Sequence, residues 1–66
     1  MTQYKQFEYD SMTYRTGSRG FSFFFRGETY FNIVDALNIL GKEGWELVML
    51  DRGDYILKRE IVGGEE

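Results

Sequence analysis

Apolar and polar residues alternate in the first part of the chain. Phe7 and Tyr9 are interleaved with Glu8 and Asp10, the period-two pattern of a strand with one buried face and one exposed face. We predict a strand over residues 4–14, with the two rings on its buried face and the two carboxylates on its solvent face.

The next apolar segment, GFSFFFRG, carries four phenylalanines within five positions. Aromatic residues favour the pleated surface of a sheet, which predicts a second strand over residues 21–26. Residues 16–20, TGSRG, are typical of a chain reversal, so the two strands form a hairpin with a loop of about five residues. Phe24 is predicted to point away from the other three rings. Those three share one face: Phe21, Phe23 and Phe25.

Residues 32–43 have the pattern of a helix with marked ends. Asn32 is suited to the N-cap, with an aspartate three positions later in a capping-box-like place. Gly44 is suited to the left-handed position past the helix, which brings Trp45 back against Leu40. The apolar stripe comprises Ile33, Val34, Ala36, Leu37 and Leu40, with Ile39 outside it.

Two further strands are predicted over residues 45–50 and 55–60. They are joined by residues 51–54, DRGD, in which glycine supplies the positive φ of a tight turn. The order β-β-α-β-β defines an α+β fold, a small antiparallel sheet of about four strands with one helix packed on one face. We expect residues 1–66 to form a single domain because of their number, and residues 62–66 to be a flexible tail.

The final hairpin has no polar face. Trp45, Leu47 and Met49 are predicted to point one way and Val48 the other, while one helix covers only one face of a small sheet. An exposed apolar face on the order of several hundred Å² usually marks an interface. Because the chain has no cysteine and no histidine, self-association is its remaining means of added stability. We therefore expect a homo-oligomer, a dimer or larger, with Phe24, Trp45, Leu47 and Met49 at its interface.

The formal net charge of −3 is unevenly distributed. Residues 14–27 contain Arg15, Arg19 and Arg26 and no acid, so this segment carries +3 and the rest of the chain −6. This balance disfavours bulk duplex nucleic acid as a partner and leaves a local basic patch. No apolar run approaches the ~20 residues that span a bilayer, and no signal peptide is visible. We expect a cytoplasmic protein with no membrane partner.

Residues 37–59 carry a recognisable signature. LNILGKEGWELVML, a short turn and YILKR together resemble a family of small uncharacterised domains of bacteria and phages, whose hallmark is LNxLGxEGWELV followed by a YxLKR-like strand. The resemblance implies a small antiparallel sheet crossed by one helix, and no established activity. The chain departs from that pattern between Ser11 and Glu28, where the hairpin rich in arginine and phenylalanine replaces a short connection. A specialised role would lie there, in the host cytoplasm if the protein is encoded by a phage.

Catalytic side chains are scarce in this composition. Without histidine and cysteine, the chain lacks the commonest general base and the best nucleophile. Two pairs of carboxylates remain. Glu8 and Asp10 are better explained as the solvent face of a strand, and Asp51 and Asp54 by the preference of aspartate for turns. We expect no enzymatic activity, no cofactor and no metal site.

The basic, aromatic hairpin is the best candidate for a binding site. Arg15, Arg19 and Arg26 offer paired N–H donors to phosphate or carboxylate. Tyr14 and Phe24 offer ring faces on which a nucleobase can stack. The alternative interpretation is that the arginines solvate an aromatic strand and discourage edge-to-edge aggregation.

Two hypotheses of function follow. In the first, the protein is a non-enzymatic, homo-oligomeric binding module that engages an anionic target, a nucleotide-like ligand or an acidic surface, as a phage protein that sequesters a host defence signal would. In the second, it is an adaptor or an inhibitor of a host enzyme, anchored in a partner protein by its aromatic hairpin. Ligand binding that depends on Arg19 or Arg26 distinguishes the first from the second.

Overall fold

The computed structural model describes residues 4–62, which form one antiparallel sheet and one helix. The elements in chain order are β1 (Phe7–Gly17), β2 (Gly20–Phe25), β3 (Glu28–Tyr30), α1 (Ile33–Gly41), β4 (Glu46–Asp51) and β5 (Asp54–Glu60). The order in the sheet is β3-β2-β1-β5-β4. The predicted α+β class with one helix is confirmed, and β3 is an additional strand. Apart from Val62, the predicted tail lies outside the described residues.

The hairpin of β1 and β2 is tighter than predicted. Gly17 pairs directly with Gly20, so Ser18 and Arg19 alone form the turn and the five-residue loop was wrong. Gly20 has a φ of 109°, a conformation that favours glycine and lets the chain reverse within so few residues. Thr16, Gly17 and Gly20, which we expected in the loop, instead extend the pairing of β1 with β2.

A second tight turn, at Arg26 and Gly27, separates β2 from β3. Its φ values of 49° and 85° match those of Arg52 and Gly53 between β4 and β5, 52° and 88°. Two consecutive positive φ values are typical of the type I′ turn of two-residue hairpins. Arg26 therefore lies in a turn and not at the end of a strand, and β3 follows from this reversal.

The helix α1 connects β3 at one edge of the sheet to β4 at the other, so it crosses one face. The Asn32 side chain accepts a hydrogen bond from the Asp35 backbone N–H at 3.0 Å, which confirms the N-cap. At the other end Gly44 has a φ of 95°, and the Trp45 N–H donates to the Leu40 carbonyl at 3.0 Å. This bond belongs to a Schellman motif, so the predicted return of Trp45 onto Leu40 is confirmed.

The core lies between α1 and the middle of the sheet. Its buried residues are Met12, Phe23, Phe25, Ala36, Leu40, Trp45 and Leu57. Val34, predicted within the helix stripe, is exposed, as is Ile39. Among residues 4–62 no helix has the length and apolar character needed to cross a membrane.

The facing predicted for the start of β1 was wrong. Glu8 pairs with Arg59, and Met12, which is fully buried, pairs with Tyr55. Because side chains alternate along a strand, Glu8 shares the helix side of the sheet with Met12. Phe7 and Tyr9 point to the outer side and are exposed. The alternation does predict a strand, but it does not reveal which of the two faces the helix covers.

A β-bulge corrects the facing of β4. Leu47 pairs with Leu57 and Met49 pairs with Ile56, with a register shift between Leu47 and Met49. Leu57 and Ile56 are neighbours in β5 and point to opposite faces, so Leu47 and Met49 do as well. The common facing predicted for these two residues and Trp45 was therefore wrong.

Candidate functional site

The end of the β1–β2 hairpin extends beyond the rest of the sheet. The pairing of β1 with β5 ends at Thr13, whereas its pairing with β2 continues to Gly17. The result is an elongated molecule of 55 × 22 × 18 Å. We call residues 14–22 the hairpin tip.

An open depression of about 280 Å³ lies at the hairpin tip. Its side chains combine guanidinium groups, phenyl rings and hydroxyls. They include Arg15, Arg19, Phe21, Phe31, Ser18 and Ser22. Phe21 and Phe31 are 54% and 75% exposed, and no acidic residue lines the depression. Phe31 lies outside the hairpin in sequence, so the pattern of the hairpin alone did not indicate it.

Arg15 is held in place by an aromatic ring. Its guanidinium carbon lies 4.6 Å from the centroid of the Phe24 ring, within the range of a cation–π interaction. Among residues 4–62 neither Arg15 nor Arg19 forms an ion pair. Stacking occupies one face of the guanidinium and leaves its in-plane N–H donors free for an anion.

Arg26 is separated from the other two arginines of the predicted site. Its Nε donates to Asp10 Oδ2 at 2.8 Å, and its Nη2 lies 3.6 Å from Glu8 Oε1. The hydrogen bond from Arg26 holds the pKa of Asp10 below its ordinary value, and Asp10 in turn raises the pKa of Arg26. Arg26 thus has carboxylate partners within the chain.

Arg59 belongs to the same group of ion pairs as Arg26, Asp10 and Glu8, and it packs on Trp45. Its Nε and Nη2 donate to Glu8 Oε2 at 3.0 and 2.9 Å. Its guanidinium lies 4.4 Å from the Trp45 ring centroid, and that of Arg26 lies 4.9 Å from it. Trp45 is only 5% exposed, so the prediction that it lies at an oligomer interface is corrected: its side chain is packed within the chain.

Tyr14 lies on the other face of the hairpin tip from Phe24. It pairs with Phe23, whereas Phe24 pairs with Thr13. The Tyr14 ring lies 5.9 Å from Phe21 and 5.4 Å from Phe23, with 42% of the residue exposed. The five predicted ligand residues are therefore divided: Arg15, Arg19 and Phe24 are near the depression or support it, Tyr14 lies on the helix side, and Arg26 is elsewhere.

Long cationic side chains cover part of the outer sheet face. Arg15 lies over Phe24, as described, and the Lys58 ammonium lies 4.7 Å from the centroid of Phe7. The aliphatic parts of long cationic side chains such as Arg15 and Lys58 shield apolar surface, while their charged ends stay in water. The outer face is consequently less apolar than the alternation of residues predicted.

The remaining carboxylates have structural positions. Asp51 pairs with Asp54 across the β4–β5 turn. In the described residues, no group of three or more potential ligand side chains is placed to hold a metal ion.

Burial, followed by the charges of Glu28 and Glu43, raises the pKa of Tyr30, which packs at the edge of the core.

Comparisons of this chain with protein-family models, with curated proteins and with solved structures found no match. The resemblance of residues 37–59 to a family of small domains therefore stays a prediction.

Proposed function

We propose that this protein is a non-enzymatic binding module whose hairpin tip holds an anionic ligand with an aromatic part, such as a nucleotide. The observation that carries the proposal is the open depression, whose lining combines Arg15 and Arg19 with the exposed rings of Phe21 and Phe31. Guanidinium groups bind phosphate through paired, charge-assisted hydrogen bonds, and exposed rings provide stacking surfaces for a base.

The position of Arg15 supports this ligand class. Its stacking on Phe24 restricts the side chain before a ligand arrives, which lowers the entropy cost of binding. Arg19 lies in the turn on the same depression. Two positive charges with no acid in the lining favour a phosphate over a neutral ligand.

The surroundings of the depression favour binding over turnover. The carboxylates of Glu8 and Asp10 pair with Arg26 and Arg59, and neither lines the depression. General acid–base catalysis needs a proton-transferring group within hydrogen-bond reach of the substrate. We infer that the protein sequesters its ligand, as would suit a phage protein that captures a nucleotide signal of host defence.

A screen of anions by thermal unfolding tests the proposal. Inorganic phosphate, nucleoside mono-, di- and triphosphates and dinucleotides are added separately, because a ligand of the folded state raises Tm by mass action, with about 2.7 kcal/mol of added stability at a hundredfold excess over Kd. We expect a nucleotide to raise Tm more than inorganic phosphate does. The increase should be smaller in Arg15→Ala and in Arg19→Ala, lost when both are changed, and kept in Lys42→Ala, a charge removed far along the chain. The proposal is wrong if no anion raises Tm, or if the double variant at positions 15 and 19 still responds.

An adaptor function is the second candidate, supported by the helix side of the hairpin tip. There Tyr14 and Phe21 are partly exposed and in contact, and aromatic side chains are frequent anchors at protein interfaces. Tyr14→Ala would then abolish capture of a protein partner while leaving anion binding intact. The two variants, Tyr14→Ala and Arg19→Ala, thus separate the two candidates.

A further inference from the structure

Phe31 is an exposed ring with no packing role in the fold. It precedes Asn32, the N-cap of α1, and an apolar residue at that place often packs against the side chain five positions later. That side chain belongs to Ala36, which is fully buried, whereas Phe31 is 75% exposed. Among residues 4–62, the partly buried apolar residues that pack against the core do not include Phe31. Its ring is therefore free to contact a ligand.

The register of the sheet places Phe31 in one row with Ser22 and Arg15. Arg15 and Ser22 are direct partners between β1 and β2. Phe23 pairs with Tyr30 between β2 and β3, so Ser22 and Phe31 follow at the next position. Phe23 and Tyr30 belong to the core side, and because side chains alternate, the row lies on the outer face, where all three members line the depression. We call the space above Ser22, between Arg15 and Phe31, the niche.

The niche has a small, polar floor and is open toward the turn. Two positions nearer the turn, the outer face carries Gly17 and Gly20, a pair without side chains. The Ser22 hydroxyl takes part in none of the side-chain hydrogen bonds formed among residues 4–62. A hydroxyl can both donate and accept a hydrogen bond, so the floor can bind the edge of a base.

The width of the niche suits one planar ring. Because β1 and β3 lie on either side of β2, their backbones are roughly 9–10 Å apart. A ring with carbon contacts of about 3.5–4.0 Å on both sides occupies roughly 7–8 Å, which leaves no room for a second ring. The whole depression, at about 280 Å³, is also small beside the roughly 300–1,000 Å³ of most ligand pockets. Both dimensions favour a ligand with a single base.

The other exposed ring of the depression has partners within the chain. The centroid of Phe21 lies 5.9 Å from that of Tyr14 and 6.0 Å from that of Phe23. Phe21 and Phe23 are two positions apart in β2 and so share the helix side of the sheet. Phe31 is therefore the ring that lies on the same face as Arg15 and Ser22.

We propose that the ligand of the hairpin tip is a mononucleotide, whose base stacks on Phe31 above Ser22 and whose phosphate is bound by Arg15 and Arg19. This inference rests on the proposed function and specifies its ligand. Stacking on an aromatic side chain strengthens the binding of a base roughly tenfold or more. The second base of a dinucleotide would find no place in the niche.

A comparison of ligands with and without a base measures what the niche contributes. Calorimetric titration gives Kd for the four common ribonucleoside 5′-monophosphates and for ribose 5-phosphate, which has the phosphate and the sugar alone. We expect the best mononucleotide to bind wild-type protein at least about tenfold more tightly than ribose 5-phosphate. Phe31→Ala should remove most of this ratio, and Phe31→Trp should keep it. The control is Val34→Ala, which shortens another exposed apolar side chain close in sequence, and it should leave the ratio unchanged.

Filling the niche provides an independent measurement. Ser22→Phe puts a ring on its floor and should abolish the preference for a mononucleotide, while ribose 5-phosphate still binds through Arg15 and Arg19. Ser11→Phe is the matched control, because Ser11 neighbours the buried Met12 and so lies on the outer face. Ser11 is four positions from Arg15 along β1, roughly 13 Å, so this variant should bind as the wild type does. Thermal unfolding establishes that both variants are folded.

The outcomes separate this inference from the proposed function. Tight binding of a mononucleotide with a ratio that neither Phe31→Ala nor Ser22→Phe changes would overturn the niche alone. Equal affinities of the wild type for mononucleotides and ribose 5-phosphate, or a dinucleotide bound about tenfold more tightly than any mononucleotide, would do the same. If no anion binds at all, the proposed function is wrong and the niche with it.

Discussion

At the residue scale, Gly44 satisfies two separate requirements. Its φ of 95° closes the helix, and a Cβ at this position would lie 3.3 Å from Cγ and Cδ of Arg59. The first requirement is visible in the sequence, because glycine after an apolar helix is a common ending. The second depends on the register of the last hairpin. This contact joins two parts of the signature, residues 43–45 (EGW) and residues 57–59 (LKR), because Arg59 packs against both Gly44 and the Trp45 ring.

Gly44→Ala is expected to destabilise the protein by roughly 1–2 kcal/mol, the cost of left-handed backbone for an L-residue, with a further loss from displacement of Arg59. Gly41→Ala is the matched control. Gly41 ends α1, and a Cβ added there would have no neighbouring atom within 4 Å, so alanine there should be neutral or stabilise by about 0.5–1 kcal/mol. Chemical denaturation measures both. Equal effects of the two changes would contradict the role assigned to Gly44.

The lowered pKa of Asp10 predicts how the free energy of unfolding changes at acidic pH. Its pKa is lowered in the folded state, chiefly by the hydrogen bond from Arg26. A lowered folded-state pKa stabilises the fold above the ordinary value of 3.8, and this stabilisation disappears as pH falls through the folded-state pKa. Asp10→Asn should therefore be less stable than the wild type near pH 6, and the difference should shrink by about pH 2.5. Urea unfolding at both pH values tests this, and an equal shrinkage in Asp51→Asn would argue against it.

At the element scale, the helix and the facing of β2 were predictable, since Phe23 and Phe25 are buried and Phe24 points to the other face, but the facing of β1 and β4 was not. The ends of α1 are determined by local residues, Asn32 and Gly44, whose preferences act within one turn. The face of β1 that meets the helix depends on Met12 and on its distant partner in β5. The bulge at Val48 reverses the later part of β4 without a Gly or Pro to signal it. Only the Arg26–Gly27 turn had an available signal, because the same dipeptide forms the turn at Arg52–Gly53.

The N-cap provides a prediction at this scale. Asn32→Ala removes the acceptor of the Asp35 N–H and should cost about 1 kcal/mol of folding stability. Asn38→Ala is the control: Asn38 lies inside α1 and is exposed, and alanine has the higher helix propensity. Thermal unfolding should therefore show opposite signs for the two changes. A loss of equal size in both would mean that the cap does not stabilise the helix.

At the scale of the whole molecule, charges with different roles lie at different places. The carboxylates of Glu8 and Asp10 neutralise Arg26 and Arg59 beside the core, whereas Arg15 and Arg19 project at the hairpin tip. Composition indicated one basic cluster, since these residues are close in the chain. The fold divides it because β2 runs from the tip back to the body of the sheet. Of the three arginines of the predicted site, Arg15 and Arg19 remain, and neither forms an ion pair with a carboxylate among residues 4–62.

Removal of the hairpin tip tests this division of the molecule. In this variant Asn-Gly replaces residues 16–21 and connects Arg15 to Ser22. Arg15 and Ser22 face each other in the sheet, two positions before the Gly17–Gly20 pair that closes the present turn. Because hydrogen-bonded and non-hydrogen-bonded pairs alternate along an antiparallel ladder, both pairs are of the same kind. Asn-Gly suits the type I′ turn that this connection needs. Because the removed segment lies beyond the pairing with β5, we expect the free energy of unfolding to change by no more than about 1 kcal/mol, while nucleotides no longer raise Tm. Replacement of Ser18 and Arg19 alone by Asn-Gly is the control and should weaken binding without abolishing it, because Arg15 and Phe21 remain. A shortened protein that unfolds, or one that still binds, would show that the tip does not have the separate role assigned to it.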